Sequence, residues 1–226
     1  MSLARRGLHR GLIPLLLAAL LSMTATISRA AEPYALRGIR LGILLADFKI
    51  LPHPDRDSAP EARPFCSDDP AAGAAIPVSK VESKVGIVRC AYFHEGSSPP
   101  APAGLIVVGA KADMTFVFVP DSTGALRLAW MRAATGSDHY ASIRAALLKK
   151  YGQPKSKMQG FVHDAAGTKL VDETLYWSNG ASDIRLDQRD EGADILVMSI
   201  EYSHEALAAE GLKRLKAVAG EGVDSL

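Results

Sequence analysis

Apolar and polar residues alternate along most of the chain, and the places where the period changes divide it into elements. Over residues 125–132, Leu126, Leu128 and Trp130 alternate with Arg127, Ala129 and Met131, the period of two that marks a half-buried strand. A Gly-Ser break follows at 136–137. Tyr140, Ile143, Leu147 and Tyr151 then recur at helical spacing on one face, with Ser137 or Asp138 placed to cap the helix. Lys149 and Lys150 suit the negative end of that helix, Gly152 fits its left-handed terminus, and Pro154 forbids continuation.

Strand-like text lies on both sides of this helix. Upstream, residues 84–93, 105–108 and 114–119 precede the strand at 125–132, and the turn Pro120-Asp-Ser-Thr-Gly124 joins the last two, so the four predict an antiparallel meander. Downstream, residues 155–163, 169–177, 182–187 and 194–202 predict four more strands, parted by turns at 164–167, 178–180 and 189–192. A closing helix runs from Glu205 to about Val218, with Leu207, Gly211, Leu215 and Val218 on one face. Near the start, residues 31–36 read as a tether. Ile43, Leu44, Asp47 and Phe48 fit two helical turns stopped by Pro52 and Pro54, and the alternation of Ile39, Leu41 and Ile43 allows its first residues to be strand.

Residues 52–79 break the rhythm with six prolines, which leaves little room for regular structure. The pattern as a whole predicts an α+β protein: two tandem helix-plus-four-stranded antiparallel sheet modules with a C-terminal helix. The first module spans 31–135 and contains the Pro-rich loop 52–79; the second spans 136–226. A helix across each sheet covers one face, and the other face meets solvent or a partner.

The N-terminus changes the compartment. Arg5, Arg6 and Arg10 precede an apolar run from Leu12 to Leu21, and Ser28-Arg29-Ala30 places small residues at a cleavage site, so residues 1–30 predict a secretory signal peptide. The apolar run is too short to span a membrane, which takes about 20 residues. Arg5-Arg6 also permits the twin-arginine route besides ordinary Sec export. The expected location is periplasmic or secreted, with a mature form that does not span the membrane. No cysteine follows the cleavage site to carry a lipid anchor.

Cleavage alters the charge. The 226-residue chain has a formal net charge of +1, but residues 1–30 hold four arginines and no acid, so the remainder stands at −3. A mildly acidic domain has no electrostatic footprint for nucleic acid or anionic lipid. The two cysteines, Cys66 and Cys90, predict a disulfide in an oxidising compartment, and Cys66 would tie down the Pro-rich loop. A reactive or metal-binding thiol is the alternative, without a CxxC spacing to support it.

Catalytic patterns are absent from the sequence. His204-Glu205 begins a zinc-protease motif, but alanine stands at 208 where the second histidine belongs. There is no Gly-x-Ser-x-Gly elbow. His53, His94, His139, His163 and His204 are scattered without local zinc spacing. His53, Asp55 and Asp57 come nearest to a ligand cluster, and they lack the oxygens a calcium loop needs. We therefore assign no catalytic residue, metal or cofactor. Trp130 and Trp177 each sit late in a strand. Beneath the helices they would pack the core; on an open sheet face they would be interface anchors, as aromatics often are.

Several short motifs carry a resemblance. Gly38-Ile-Arg-Leu-Gly42 leads into a short helix with Asp47-Phe48; a later helix ends Lys150-Tyr-Gly-Gln-Pro154; Tyr176-Trp177-Ser-Asn-Gly180 precedes Ile184-Arg-Leu186. Over roughly residues 36–202 this cadence resembles proteobacterial periplasmic proteins whose modules look like the outer-membrane-assembly lipoprotein BamE, and which in tandem are similar to the β-lactamase inhibitor protein fold. The resemblance implies helices on one face of antiparallel sheets, an envelope location and work by binding protein partners. The chain departs from it in lacking a lipidation cysteine and in carrying segment 52–79 where a second short helix is expected. The resulting expectation is an exported soluble protein-binding or envelope-assembly protein without catalytic activity, whose partner is an envelope or secreted protein. The alternatives are an inhibitor of a secreted enzyme that inserts segment 52–66, and a hydrolase or metal-dependent enzyme whose site converges from distant loops.

Overall fold

The computed structural model of the protein describes residues 31–70, 75–96, 100–163, 166–190 and 196–221. The signal peptide expected at 1–30 lies outside them, as do parts of the turns expected at 164–167 and 189–192.

A two-stranded hairpin, β1 (Ala35–Leu36) and β2 (Ile39–Arg40), opens the chain and leads into α1 (Leu45–Lys49). There follow β3 (Ala62–Cys66), α2 (Lys80–Lys84), β4 (Val88–His94), β5 (Ala101–Pro102), β6 (Leu105–Val107), β7 (Ala110–Pro120) and β8 (Leu126–Gly136). A 3-10 turn at Ser137–His139 starts α3 (Tyr140–Tyr151); then come β9 (Ser156–His163), β10 (Lys169–Ser178), β11 (Ser182–Asp187), β12 (Val197–His204) and α4 (Glu205–Glu221).

The class is α+β with one large antiparallel sheet, in the order β3-β4-β7-β8-β12-β11-β10-β9, with β5 added to β4 and β6 to β7. The strands up to Gly136 occupy one side of this order and those after it the other. They meet where β8 pairs with β12, from Trp130↔Ser203 to Gly136↔Val197.

The upstream meander differs from expectation. Residues 105–107 do form a strand, but β6 folds back on the start of β7 (Leu105↔Ala112) and is not a strand of the main order. The missing member is β3, inside the Pro-rich segment. Pro64 is tolerated there because β3 is an edge strand, where one side of the backbone needs no ladder partner. Cys66 and Cys90 lie directly opposite each other in the β3–β4 register and form the expected disulfide.

One face of the sheet is the main core. Tyr92, Phe116, Phe118, Met131, Ile184, Leu186, Leu175 and Ile200 point into it from six strands. Phe48 of α1 sits in its centre, with ring centroids 4.7 to 5.7 Å from Phe116, Phe118 and Tyr92. Tyr140, Ile143 and Leu147 cover the same face, so the helical stripe read from the sequence is the packing face of α3. The expected tether is docked instead: Tyr34 stacks edge-on to Tyr151 at 4.9 Å, and its backbone N–H donates to Ser182 Oγ at 2.8 Å.

A β-bulge in β8 sets which residues reach the other face. Val117 pairs with Trp130, but Phe118 pairs with Leu128, which leaves Ala129 as an extra residue. The bulge reverses the alternation. Leu128 and Met131 both enter the main core, while Ala129 and Trp130 turn to the opposite side. The strict alternation read for 125–132 placed Trp130 with Leu128 and Met131 with Arg127; the extra residue corrects both. On that second face α4 packs through Leu207 and Leu215 against Val119, Ala129 and Trp130. Gly211 permits the approach, since a Cβ there would lie 2.9 Å from the Trp130 ring and 3.0 Å from Val119.

Candidate binding groove on the polar sheet face

Beyond α4 the second face is polar, and the strand registers assemble its side chains into rows. Thr115 of β7 is opposite Arg132 of β8, Arg132 opposite Glu201 of β12, Glu201 opposite Arg185 of β11, and Arg185 opposite Tyr176 of β10. Opposed residues of an antiparallel pair share a face with Cβ atoms about 5 Å apart, so this is one transverse line of alternating charge. The arginines are held from the flanks. Arg132 forms an ion pair with Asp190, and Arg185 pairs with Asp187 at 2.8 Å while Thr174 donates to the same carboxylate at 2.7 Å. Arg89 of β4 pairs with Glu82 of α2 at 2.6 Å.

Glu201 lies at the centre of the row. Burial pushes its carboxyl pKa up, Arg185 and Arg132 oppose that, Asp187 adds to it, and the net displacement is upward. The folded chain thus holds a carboxylate that burial disfavours, in a position where an incoming cationic or hydrogen-bond-donating group would relieve it.

Two depressions meet on this face. One, about 270 Å³, lies between α4 and the sheet; Ile87, Val117, Trp130, Leu212 and Leu215 form its apolar wall, and Glu82, Arg132 and Glu201 its polar side. The other, about 300 Å³, arises because β4 pairs with β7 only from Val88 to Cys90 and then turns to take β5 at Phe93↔Pro102. Ile76, Phe93 and Met114 line that slot. Arg89 and Thr115 border both depressions, so together they form one groove with apolar ends and a charged middle.

The structure separates the two tryptophans. Trp130 is half-buried and forms part of the groove wall. Trp177 is 2 % exposed in the main core, and its Nε1 donates to the Gly152 carbonyl at 2.9 Å. It anchors α3 to β10 and offers no surface to a partner, which corrects its candidacy as an interface residue.

The described residues of the Pro-rich segment serve the architecture. Asp55 forms an ion pair with Arg37 and accepts from the Ile106 N–H at 2.7 Å. His53 is buried edge-on to Tyr92, and its Nδ1 accepts from the Asp55 N–H at 3.2 Å. Asp57 is exposed, so the three residues do not converge as ligands. A cavity of about 590 Å³ lies beside this loop, with Arg37 and Asp55 on its lining already paired to each other. Residues 62–66, read as part of an insertable loop, are instead the edge strand β3. Among the described residues, the cluster close enough to hold a metal ion is Cys66, Asp68 and Asp69. The Cys66 sulfur is in the disulfide, and Lys49 pairs with both acids at 2.9 and 2.7 Å.

Comparison with protein-family models, with curated proteins and with solved structures finds no match to this chain. The geometry of the groove is therefore what a functional reading must rest on. Arg132, Glu201 and Arg185 were absent from the sequence-based candidates. Each is an ordinary outward residue of its own strand, and only the pairing of three distant segments makes them neighbours.

Proposed function

We propose that this is an exported protein-binding or envelope-assembly protein, built from two modules that each contribute four strands to the common sheet, and that it holds a segment of a protein partner in the groove on the polar face. The observation that carries this reading is the groove itself. It joins apolar walls, including the half-exposed Trp130, to a charged row whose central carboxylate is disfavoured by burial. Three further points support it: the secretory pattern at 1–30, the disulfide, which is consistent with an oxidising compartment, and the resemblance to BamE-like tandem modules. No described helix is long and apolar enough to cross a membrane.

The test is site-specific photo-crosslinking in the producing cells. A photoreactive residue at Leu212 or Thr115 is expected to capture a discrete protein adduct that Trp130→Ala weakens, while the same residue at exposed Ala141 of α3 captures none. Circular dichroism verifies that the Trp130→Ala protein is folded. Adducts that are equal at all three positions, or absent from both groove positions, would refute the reading.

A further inference from the structure

The two edges of the sheet are treated differently. The β3 edge is five residues long, carries Arg63 and Pro64, and is fastened by the disulfide, all of which discourage a further strand. The β9 edge is eight residues long, contains no proline, and is exposed at every position but Val162. Its one lysine, Lys157, is drawn to Glu173 at 2.5 Å. Such an edge offers a full row of unpaired backbone donors and acceptors to an incoming strand.

The β9–β10 hairpin also outruns the sheet. β10 pairs with β9 from Lys169 to Tyr176, but with β11 only from Thr174 to Ser178, so residues 159–163 and 169–173 continue as a two-stranded ribbon. Met158 is 55 % exposed, Phe161 57 % and Val171 43 %. One side of the Phe161 ring is covered by Lys169 Nζ, 3.8 Å from its centroid. An isolated two-stranded ribbon is marginal in water, and this one carries apolar side chains on both faces.

We propose that β9 is a homodimer interface, in which it pairs antiparallel with β9 of a second copy about a two-fold axis at Gly160. The strand's own sequence favours a second copy as the occupant. A two-fold axis perpendicular to the sheet pairs residues whose numbers sum to twice that of the axis residue, and keeps each side chain on its own face. With the axis at Gly160, Met158 meets Val162 of the second copy, Gln159 meets Phe161, and Lys157 meets His163. Met158 and Val162 set apolar against apolar, and the one lysine of the strand does not meet its own copy. Glycine stands where the two backbones are related by the axis, and the two Phe161 rings fall on neighbouring diagonal positions of one face. The contact extends each sheet into the other and covers the ribbon. It lies on an edge separate from the groove, so it stands or falls independently of the proposed function.

Light scattering of the purified protein across a concentration series is expected to show a monomer–dimer equilibrium. Met158→Lys with Val162→Lys sets lysine opposite lysine twice, and is expected to raise the dimer dissociation constant by about tenfold or more. Met158→Lys with Val162→Glu sets opposite charges across the same two contacts, and is expected to restore the dimer. Gly160→Cys is expected to give an intermolecular disulfide on a non-reducing gel. Thermal melting shows that each variant is folded. A wild-type protein that stays monomeric throughout, or a double-lysine variant that dimerises as well as wild type, would overturn the proposal. Failure of the lysine–glutamate variant to recover the dimer would overturn the Gly160 register.

Discussion

Loss of the Cys66–Cys90 bridge should be the most costly single covalent change to this fold. The two cysteines are separated by 24 positions, both are fully buried, and they face each other across the β3–β4 ladder. Without the bridge the denatured chain regains the freedom of that loop, worth about 3.5 kcal/mol at this length on the chain-entropy account. Replacing both residues by alanine also empties the space of two sulfur atoms in the core, which adds roughly 1 kcal/mol. Alanine is preferred to serine because a hydroxyl at either site would be buried without an evident partner. The expected total is about 4.5 kcal/mol, a large share of the ~5–15 kcal/mol that stabilises a typical domain. Urea unfolding followed by far-ultraviolet circular dichroism measures it. With a slope of about 2 kcal/mol per molar, the midpoint should fall by roughly 2 M. Reductant should lower the midpoint of the native protein most of the way to that of the double-alanine variant, stopping short by the packing of the two retained sulfurs, and leave the variant unmoved. A loss below about 1 kcal/mol at unchanged slope would refute the reasoning, because the loop would then gain no freedom when the bridge is broken.

Three further outcomes follow from the side-chain environments. Burial pushes the Glu173 carboxyl up, but hydrogen bonds from Lys157, Tyr140 and Arg144 outweigh it and hold the pKa at about 2, below the usual 4.5. Its contribution is therefore complete above about pH 5 and lost as pH falls from 4.5 towards 2; Glu173→Gln should cost about 1–2 kcal/mol at pH 7, given the exposure of the two cations, and the difference should vanish in acid melts. Glu201 has the opposite sign. Its folded-state pKa is raised by burial, so Glu201→Gln should raise the melting temperature at pH 7, with the gain shrinking as pH falls towards the ordinary carboxyl range and gone below it; destabilisation at pH 7 would contradict the account of the groove. Trp177→Phe removes the bond to the Gly152 carbonyl at a cost of about 1 kcal/mol and leaves Trp130 as the sole indole, whose emission should be quenched by acrylamide and respond to an occupied groove.

Much of the local structure was legible because its signals are local. The stripe of Tyr140, Ile143 and Leu147, the turn at Asp121–Gly124 and the second run of four strands all depend on neighbours within a few positions. What was hidden depends on partners far along the chain. Ala62–Cys66 looks irregular because Pro64 excludes it from a central strand, yet it is suited to an edge, and only the position of β4 makes it one. Leu105 and Val107 are as buried as any strand residues, so their text could not reveal that β6 folds back on β7. The polar row was illegible for a related reason. Arg132, Glu201 and Arg185 become neighbours through two registers between separate segments, and the extra alanine in the β7–β8 ladder sets which face Arg132 takes relative to Leu128.

The seam between β8 and β12 also sets an order of events. It joins residues about 60 to 70 positions apart, and β8 pairs with β7 on its other side. A chain emerging from the N-terminus can complete the ladder from β3 to β8 and must then wait for β12, leaving a long edge of β8 naked. Emerging N-terminus first, the chain must deliver about 60 further residues before β12 can close that edge. Over that interval Met131 and Ala133 lack the Tyr202 and Ile200 side chains that complete the core beside them. A chain stopped before Val197 should therefore aggregate, as light scattering would record, and the protein's period of greatest vulnerability falls just before its last strand arrives.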